Sequence, residues 1–355
     1  MKYITKFINE IFIEGLSGMA TGLFATLIIG TIIQQFGSLI PGTTGDLLFV
    51  IGKVAASVTG VGIGCGVAVR FRESPLVIVS AATCGMVGAF ASKLLAGTLL
   101  VDGAIIYSGP GEPLGAYLAS LAGIYVGRLV SGKTKIDIIV TPTLSILAGS
   151  IVGFSIGPSI SKAMLFIGDL INVSTQQHPL IMGVLVSVIM GMTLTLPISS
   201  AALGIILNLS GLAAGAATVG CCANMIGFAV ASYRENKVNG LLAQGLGTSM
   251  LQISNIVRNP LIWIPAILTS AILGPLSTMV FHMTNNATGS GMGTAGLVGQ
   301  ITTFQTMVAQ GIAPEIVIFE IILLHFIAPA FLAHRISKFM RKKKWIKTGD
   351  MKLNI

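Results

Sequence analysis

The chain has 355 residues, of which 53% are hydrophobic and only 9% charged, and its formal net charge is +9. Because a water-soluble domain carries about 25% charged residues, this composition excludes a soluble enzyme, a nucleic-acid-binding domain and a single-pass receptor. At roughly 20 apolar residues per crossing, the length allows on the order of ten to twelve transmembrane helices. The predicted fold class is an all-α polytopic membrane protein whose surface is largely covered by lipid.

Apolar runs follow one another along nearly the whole chain. The first run contains Glu14 and has no small-residue cleavage site, so we expect a retained helix and not a removed signal peptide. The runs lie at about 11–36, 47–70, 75–101, 113–131, 136–157, 179–207, 211–232, 239–257, 260–281, 293–311 and 315–340. A weaker amphipathic piece at 160–172 is either a linker or a partial crossing.

Two short motifs recur and predict an internal repeat. Phe71-Arg72-Glu73 closes the second run and Tyr233-Arg234-Glu235 closes the seventh, while Ser-Gly-x-Gly at 108–111 recurs at 290–293. We therefore expect a single membrane domain over 1–355, with a first repeat at about 10–158, a linker at about 159–178 and a second repeat at about 179–340. Transporters are often built from such repeats. Chance recurrence of the two motifs is the alternative.

The positive charge is concentrated at the C-terminal end. Seven of the 21 cations lie between Arg335 and Lys347. By the positive-inside rule, we expect 341–355 to form a basic cytoplasmic tail and the N-terminus to be cytoplasmic as well. The orientation of the second repeat stays open, because it depends on whether the piece near 160–176 returns the chain across the membrane.

Ionisable residues inside the apolar runs are few, and two lie close together in the last run. Glu320 and His325 are surrounded by apolar residues. Such groups at membrane depth normally face a protein-lined or wet cavity. A spacing of five separates them by about 140° on a regular helix, so they need not touch. Both are candidates for solute contact or for catalysis, and bonding to neighbouring helices is the structural alternative.

The richest polar stretch is 284–310, where glycines alternate with amides and hydroxyls. Glycine lets the backbone leave regular geometry, and neutral amides and hydroxyls suit a neutral polyol. We expect a re-entrant, solute-contacting loop, and an exposed loop followed by an ordinary helix is the alternative. The predicted solute-binding residues are Asn224, Gln244, Asn285, Asn286, Gly293, Thr294, Gln300, Thr302, Thr303, Gln305, Glu320 and His325.

No motif indicates a metal, a cofactor, a hydrolytic centre or a disulfide framework. The four cysteines, which include Cys221 and Cys222, lie in apolar runs and are interpreted as small packing residues. The Arg-Glu pairs of the repeated motifs are interpreted as structural charges at helix ends. A docking surface for a soluble partner is the alternative.

Three stretches resemble a known family. They are NMIGFAVASYRENKVNGLLAQGLGTSMLQ at 224–252, NPLIWIP at 259–265 and GSGMGTAGLVGQ at 289–300. They are similar to EIIC-type membrane proteins of the bacterial phosphotransferase system, and among these to the branch with perfringolysin-regulator-like proteins. The resemblance implies a polytopic protein of the bacterial plasma membrane, a homodimer, that binds a sugar and presents it to a soluble EIIB phosphocarrier.

One departure from the family pattern bears on catalysis. Glucose-type members carry a sugar-contacting glutamate in a Gly-Ile-Thr-Glu motif, whereas the nearest text here ends in Thr302-Thr303. Phosphoryl transfer benefits from a group that orients the attacking hydroxyl, so catalysis would need Glu320 or His325 as a substitute. At most, the chain is the membrane subunit of a protein-phosphohistidine-sugar phosphotransferase, with EIIA and EIIB in trans. The alternatives are a solute sensor or regulator without transport and an H⁺- or Na⁺-coupled secondary transporter.

Overall fold

The computed structural model describes residues 7–101, 103–107 and 109–353, which divide into two compact units at residue 164. Apart from one short hairpin, the regular elements of these residues are helical. Within these ranges, six helices are long and apolar enough to cross a membrane, and a bent helix pair would make a seventh. The prediction of an all-α polytopic membrane protein is thus confirmed.

The first unit begins with a helix of 33 residues and contains a helix pair that is bent by 54°. Its helices are α1 (Phe7–Leu39, with π-helical segments Glu10–Gly15 and Phe24–Ile28), α2 (Thr43–Ser57), α3 (Thr59–Arg70), α4 (Pro75–Ala89), α5 (Ala91–Leu95) and α6 (Pro113–Val130). An antiparallel hairpin of β1 (Leu100–Val101) and β2 (Ala104–Ile105) lies between α5 and α6. Helix α7 (Asp137–Thr175) begins in this unit and contains the boundary between the two.

Glycine allows the helices of the first unit to approach closely. A Cβ added at Gly22 of α1 would collide with the carbonyl oxygen of Gly62 on α3, and one added at Gly88 of α4 would collide with the carbonyl of Gly115 on α6. Lipid removes the hydrophobic drive between membrane helices, so close packing through small residues holds them together. This accounts for the abundance of glycine in so apolar a chain.

Charges cluster at one end of this unit, around the first repeated motif. Arg128, near the end of α6, lies 2.8 Å from Glu10 and 2.5 Å from Glu73, and its guanidinium lies over the rings of Phe71 and Tyr125. These contacts support the structural interpretation of the motif, because Arg128 joins the end of α6 both to the motif's Glu73 after α3 and to Glu10 on α1.

The second unit has a three-helix centre and several short segments. Its helices are α8 (Pro179–Thr195), α9 (Ser200–Ile206), α10 (Gly211–Ala231), α11 (Tyr233–Leu242), α12 (Ile253–Arg258), α13 (Ile264–Met279), α14 (Ala287–Ser290), α15 (Val298–Ala309) and α16 (Pro314–Lys342). The irregular segments are π-helical at Ala243–Gly247 and Ile322–Ile327 and 3₁₀-helical at Ser249–Gln252, Pro260–Trp263 and Ala295–Leu297.

Helices α8, α10 and α13 pack against one another, and α10 is buried along nearly all of its length. A Cβ at Gly220 of α10 would collide with the carbonyl of Ser187 on α8, and one at Gly274 of α13 would collide with that of Gly183 on α8. The small side chains of α10 thus let the neighbouring helix backbones lie against it.

Some predicted runs differ from the observed helices. The run at 239–257 is a series of short α, π and 3₁₀ segments, and the run at 75–101 is interrupted after α4. The amphipathic piece at 160–172 continues α7. At 1.5 Å per residue, the twelve residues of α15 rise about 18 Å, less than the roughly 30 Å hydrocarbon core. Helix α15 alone is therefore too short to cross.

The basic tail returns to the body of the second unit. Ile346 and Met351 are buried in a cluster with Phe228, Ile256 and Met340. The tail backbone is also bonded by amides, since Asn236 Nδ2 donates to the Met351 carbonyl at 2.8 Å and accepts the Leu353 N–H through its Oδ1 at 2.8 Å. Apolar side chains between the lysines thus dock a segment that charge alone would leave in solvent.

Candidate solute-binding site

The structure brings two of the predicted residues together in the second unit. Gln300, on α15, has its Nε2 3.0 Å from Nδ1 of His325 on α16. Because an amide nitrogen can only donate, Nδ1 accepts this bond, and a neutral imidazole then carries its proton on Nε2. The same amide nitrogen lies 3.3 Å from Sγ of Cys222 on α10. Gln300 thus contacts two other helices.

The loop before α15 is held in place by backbone geometry that requires glycine. Gly293 and Gly296 have φ of +53° and +54°, and a Cβ at Gly293 would lie 2.9 Å from the backbone of Cys221. Thr294 donates a 2.5 Å hydrogen bond to the carbonyl of Gly245. The glycine-rich stretch therefore packs against α10 and positions the first turn of α15.

Helix α15 then presents Gln300 and Thr303 on one face, because residues three apart on a helix are neighbours. Both side chains are buried. Gln305, two residues further, is exposed. The helix therefore directs Gln300 and Thr303 inward and Gln305 outward.

His325 lies in the π-helical segment of α16, and Glu320 lies just before it. Single π turns inside helices occur often at functional sites. The exposed fractions are 9% for Glu320 and 1% for His325, and Ile321 and Leu324 between them are buried as well. The spacing of five therefore does not put one side chain inside and the other outside: both lie on the buried side of α16.

Three of the buried side chains on α15 and α16 that the sequence predicted as solute contacts have an oxygen atom with no hydrogen-bond partner among the described residues. These atoms are Gln300 Oε1, Thr303 Oγ1 and Glu320 Oε2. A buried polar atom without a partner costs roughly 1–3 kcal/mol, so such atoms are rare unless a ligand or water completes them. The name α15–α16 polar cluster is used below for Gln300, Thr303, Glu320 and His325, four buried polar residues on these two helices, of which Gln300 and His325 are in direct contact.

Asn224 has a different environment, because its side chain is fully used by the protein. Its Nδ2 donates to Ser270 Oγ at 3.1 Å, and its Oδ1 accepts from Thr195 Oγ1 at 3.2 Å and from the Trp263 indole at 3.0 Å. The residue joins α8, α10 and α13. Its solute contact stays a prediction, and these partners favour the structural alternative.

Gln244 is likewise occupied by protein groups. Its Nε2 donates to Ser232 Oγ at 2.9 Å and to the Gly240 carbonyl at 2.8 Å, while its Oε1 accepts from Gln252 Nε2 at 2.8 Å. Gln252 in turn donates to the Met351 carbonyl at 3.0 Å. The network connects the π-helical segment after α11 to the tail.

The remaining predicted amides and hydroxyls form hydrogen bonds in the loop before α15 or within α15 itself. Asn285 donates to Thr218 Oγ1 at 2.8 Å and to the Gly299 carbonyl at 3.2 Å. Asn286 caps α14 by accepting the Gly289 N–H at 3.1 Å. Thr302 donates to the Val298 carbonyl of its own helix at 2.8 Å. None of these three side chains has an orphaned buried atom among the described residues.

Cys222 is the contact that the sequence analysis missed. A cysteine in a run of glycine and alanine resembles ordinary helix packing, so the sequence carries no signal for its contact with Gln300. Among the described residues, no group of three or more His, Cys, Asp and Glu side chains could hold a metal ion.

Comparison with known proteins agrees with the motifs and the fold. The family described as "Phosphotransferase system, EIIC" matches residues 13–353. No curated protein matches the chain. Members of this family generally act on a sugar together with an EIIB partner. With a match over nearly its whole length and a multi-pass helical fold, the chain belongs to the phosphotransferase system EIIC family.

Proposed function

We propose that this protein is the membrane permease subunit of a sugar phosphotransferase system and that the α15–α16 polar cluster binds the sugar. The family match supports the permease subunit in general. The observation that carries the proposal is the set of three orphaned oxygens on Gln300, Thr303 and Glu320. Each of these oxygens can accept a hydrogen bond, and each hydroxyl group of a sugar can donate one. The acceptors of the protein and the donors of a sugar are therefore complementary.

The side chains of the cluster would act as different hydrogen-bond donors and acceptors to the sugar. The amide nitrogen of Gln300 contacts His325 and Cys222, and its carbonyl oxygen has no partner among the described residues. His325, with Nδ1 accepting, has an Nε2–H that can donate to a ring or hydroxyl oxygen of the sugar. Thr303 can accept and donate. The cluster thus offers both kinds of group to a neutral polyol.

Glu320 is the proposed substitute for the glutamate that the Gly-Ile-Thr-Glu motif would supply. Its carboxylate can accept a hydrogen bond from the hydroxyl that receives the phosphoryl group and orient that hydroxyl for attack. The phosphoryl donor would be a soluble EIIB protein, because members of this family generally act together with an EIIB partner. The chain would thus position the sugar hydroxyl for attack, and the EIIB protein would supply the phosphoryl group.

Uptake by membrane vesicles that contain the chain tests this function. Labelled sugars are offered with phosphoenolpyruvate and the soluble phosphocarriers, and the product inside is separated into free and phosphorylated sugar. We expect sugar phosphate to accumulate only when the carriers are present. Uptake of free sugar that is collapsed by an uncoupler would replace the proposal with a coupled transporter, and binding without uptake would replace it with a sensor.

A further inference from the structure

A second polar feature lies away from the α15–α16 polar cluster, where α10 and α16 end. It is a cavity of about 1290 Å³, and seven of its sixteen lining residues are Arg or Lys while none is Asp or Glu. Arg234, Lys338, Lys342 and Lys344 line it and are exposed. The cavity is thus a concentrated positive surface.

Little within the protein compensates these charges. Arg341 forms an ion pair with Glu235 at 2.8 Å, and Arg335 lies over the ring of Phe331 at 5.1 Å. Among the described residues, the other five lining cations have no carboxylate within ion-pair distance. Like charges held together repel, so an anion bound here would be stabilised.

The same cavity is partly apolar. Val230, Leu241, Phe339 and Ile346 line it beside the cations. An inorganic anion would interact with the cations but would make no favourable apolar contact with these side chains. An amphipathic anion would contact both kinds of wall.

Its position agrees with the level of lipid headgroups. The cavity is at the end of two helices that can cross the membrane, Gly211–Ala231 and Pro314–Lys342. Phe339 and Trp345 are more than half exposed and meet edge to face with ring centroids 6.3 Å apart. Exposed aromatic rings beside Lys and Arg are typical of the membrane–water interface.

We propose that this cavity binds the phosphate headgroup of an anionic phospholipid, with its acyl chains against the apolar wall. Basic pockets at the ends of membrane helices bind such headgroups. A soluble phosphate shares the charge but has no apolar part, so the apolar wall favours the lipid.

The experiment compares thermal unfolding and lipid retention of the full chain in neutral detergent. Phosphatidylglycerol, phosphatidylcholine, inorganic phosphate and glycerol phosphate are added separately. The cavity variant is Lys338→Gln with Lys342→Gln and Lys344→Gln. The control carries the same loss of charge at exposed lysines outside the cavity, Lys133→Gln with Lys135→Gln and Lys162→Gln.

We expect phosphatidylglycerol alone to raise the unfolding temperature of the wild type and of the control. Since one cation near an anionic headgroup contributes about 1 kcal/mol, the cavity variant should retain the lipid on the order of ten- to a hundred-fold more weakly by native mass spectrometry. Equal retention in the cavity variant and the control would overturn the proposal.

Two other results would reassign the cavity. Stabilisation by inorganic phosphate or glycerol phosphate equal to that by the lipid would make it a site for soluble phosphate. Loss of binding to a soluble partner, such as the EIIB protein, in the cavity variant with unchanged lipid retention would make it a protein-docking surface.

Discussion

Arg341 Nη2 lies 2.8 Å from Oε1 of Glu235, so the end of α16 is joined to the second aromatic-Arg-Glu motif. The side chains are only 14% and 3% exposed. Arg341 also donates to the carbonyl of Ala231 at the end of α10. The pair therefore joins the two helix ends that flank the basic cavity.

Replacing one partner of this buried pair should be costly. Arg341→Ala leaves the Glu235 carboxylate buried without its cation, and breaking such a pair costs about 3–5 kcal/mol. Arg70→Ala is the matched control, because the Arg70–Glu14 pair at 2.6 Å is 33% and 43% exposed and exposed pairs contribute about 0–1 kcal/mol. Thermal unfolding in detergent checks this. Equal losses in the two variants would show that burial does not set the strength of the pair.

The α15–α16 polar cluster can be tested by substitution. Glu320→Gln and His325→Ala should each reduce sugar binding or uptake about ten-fold, since a hydrogen bond to a charged group contributes about 1.5–3 kcal/mol and a buried group left without its partner costs about 1–3 kcal/mol. Membrane insertion and yield should be unchanged. Gln305→Ala, an exposed position on α15, is the control and should behave as the wild type. Wild-type uptake in both cluster variants would remove these residues from the site.

Glycine packing at the centre of the second unit gives a third prediction. Gly220→Ala should destabilise the protein, because its Cβ would collide with the carbonyl of Ser187 on α8. Gly227→Ala on the same helix is the control, since the nearest atom that its Cβ would meet on another helix is the Cβ of Ala333, at 3.3 Å. Both changes bring the same gain in helix propensity, so the difference in unfolding temperature isolates the collision. A smaller loss at Gly220 than at Gly227 contradicts the packing described here.

The docked tail gives a fourth prediction. Met351→Ala should lower the free energy of unfolding by about 2–5 kcal/mol, because the side chain is fully buried and its removal leaves a cavity. Met279→Ala, at an exposed position at the end of α13, should change it far less. Limited proteolysis should also cleave the Met351→Ala tail faster. Unchanged stability and cleavage would mean that the tail is not docked against the second unit.

The membrane class, the helical fold and the family could be predicted because they depend on composition, hydropathy and contiguous motifs. The helix boundaries were less predictable. An apolar run such as 239–257 has the composition of a spanning helix, yet its backbone there alternates among α, π and 3₁₀ turns. Hydropathy indicates only whether a segment prefers water or an apolar environment. The backbone conformation of the segment depends on the side chains and helices packed around it.

In the candidate site, too, the sequence predicted some features and only the tertiary structure decided others. Sequence alone identified Gln300 and Thr303 as part of a polar, glycine-rich stretch and Glu320 and His325 as rare ionisable groups in apolar surroundings. It placed Asn224 and Gln244 beside them as intramembrane amides that flank the second aromatic-Arg-Glu motif. Only tertiary structure separates the two sets, because Asn224 and Gln244 find partners on neighbouring helices while Gln300, Thr303 and Glu320 keep unpaired oxygens. Whether a buried polar atom is satisfied depends on residues far away in the chain, and no local pattern contains that information.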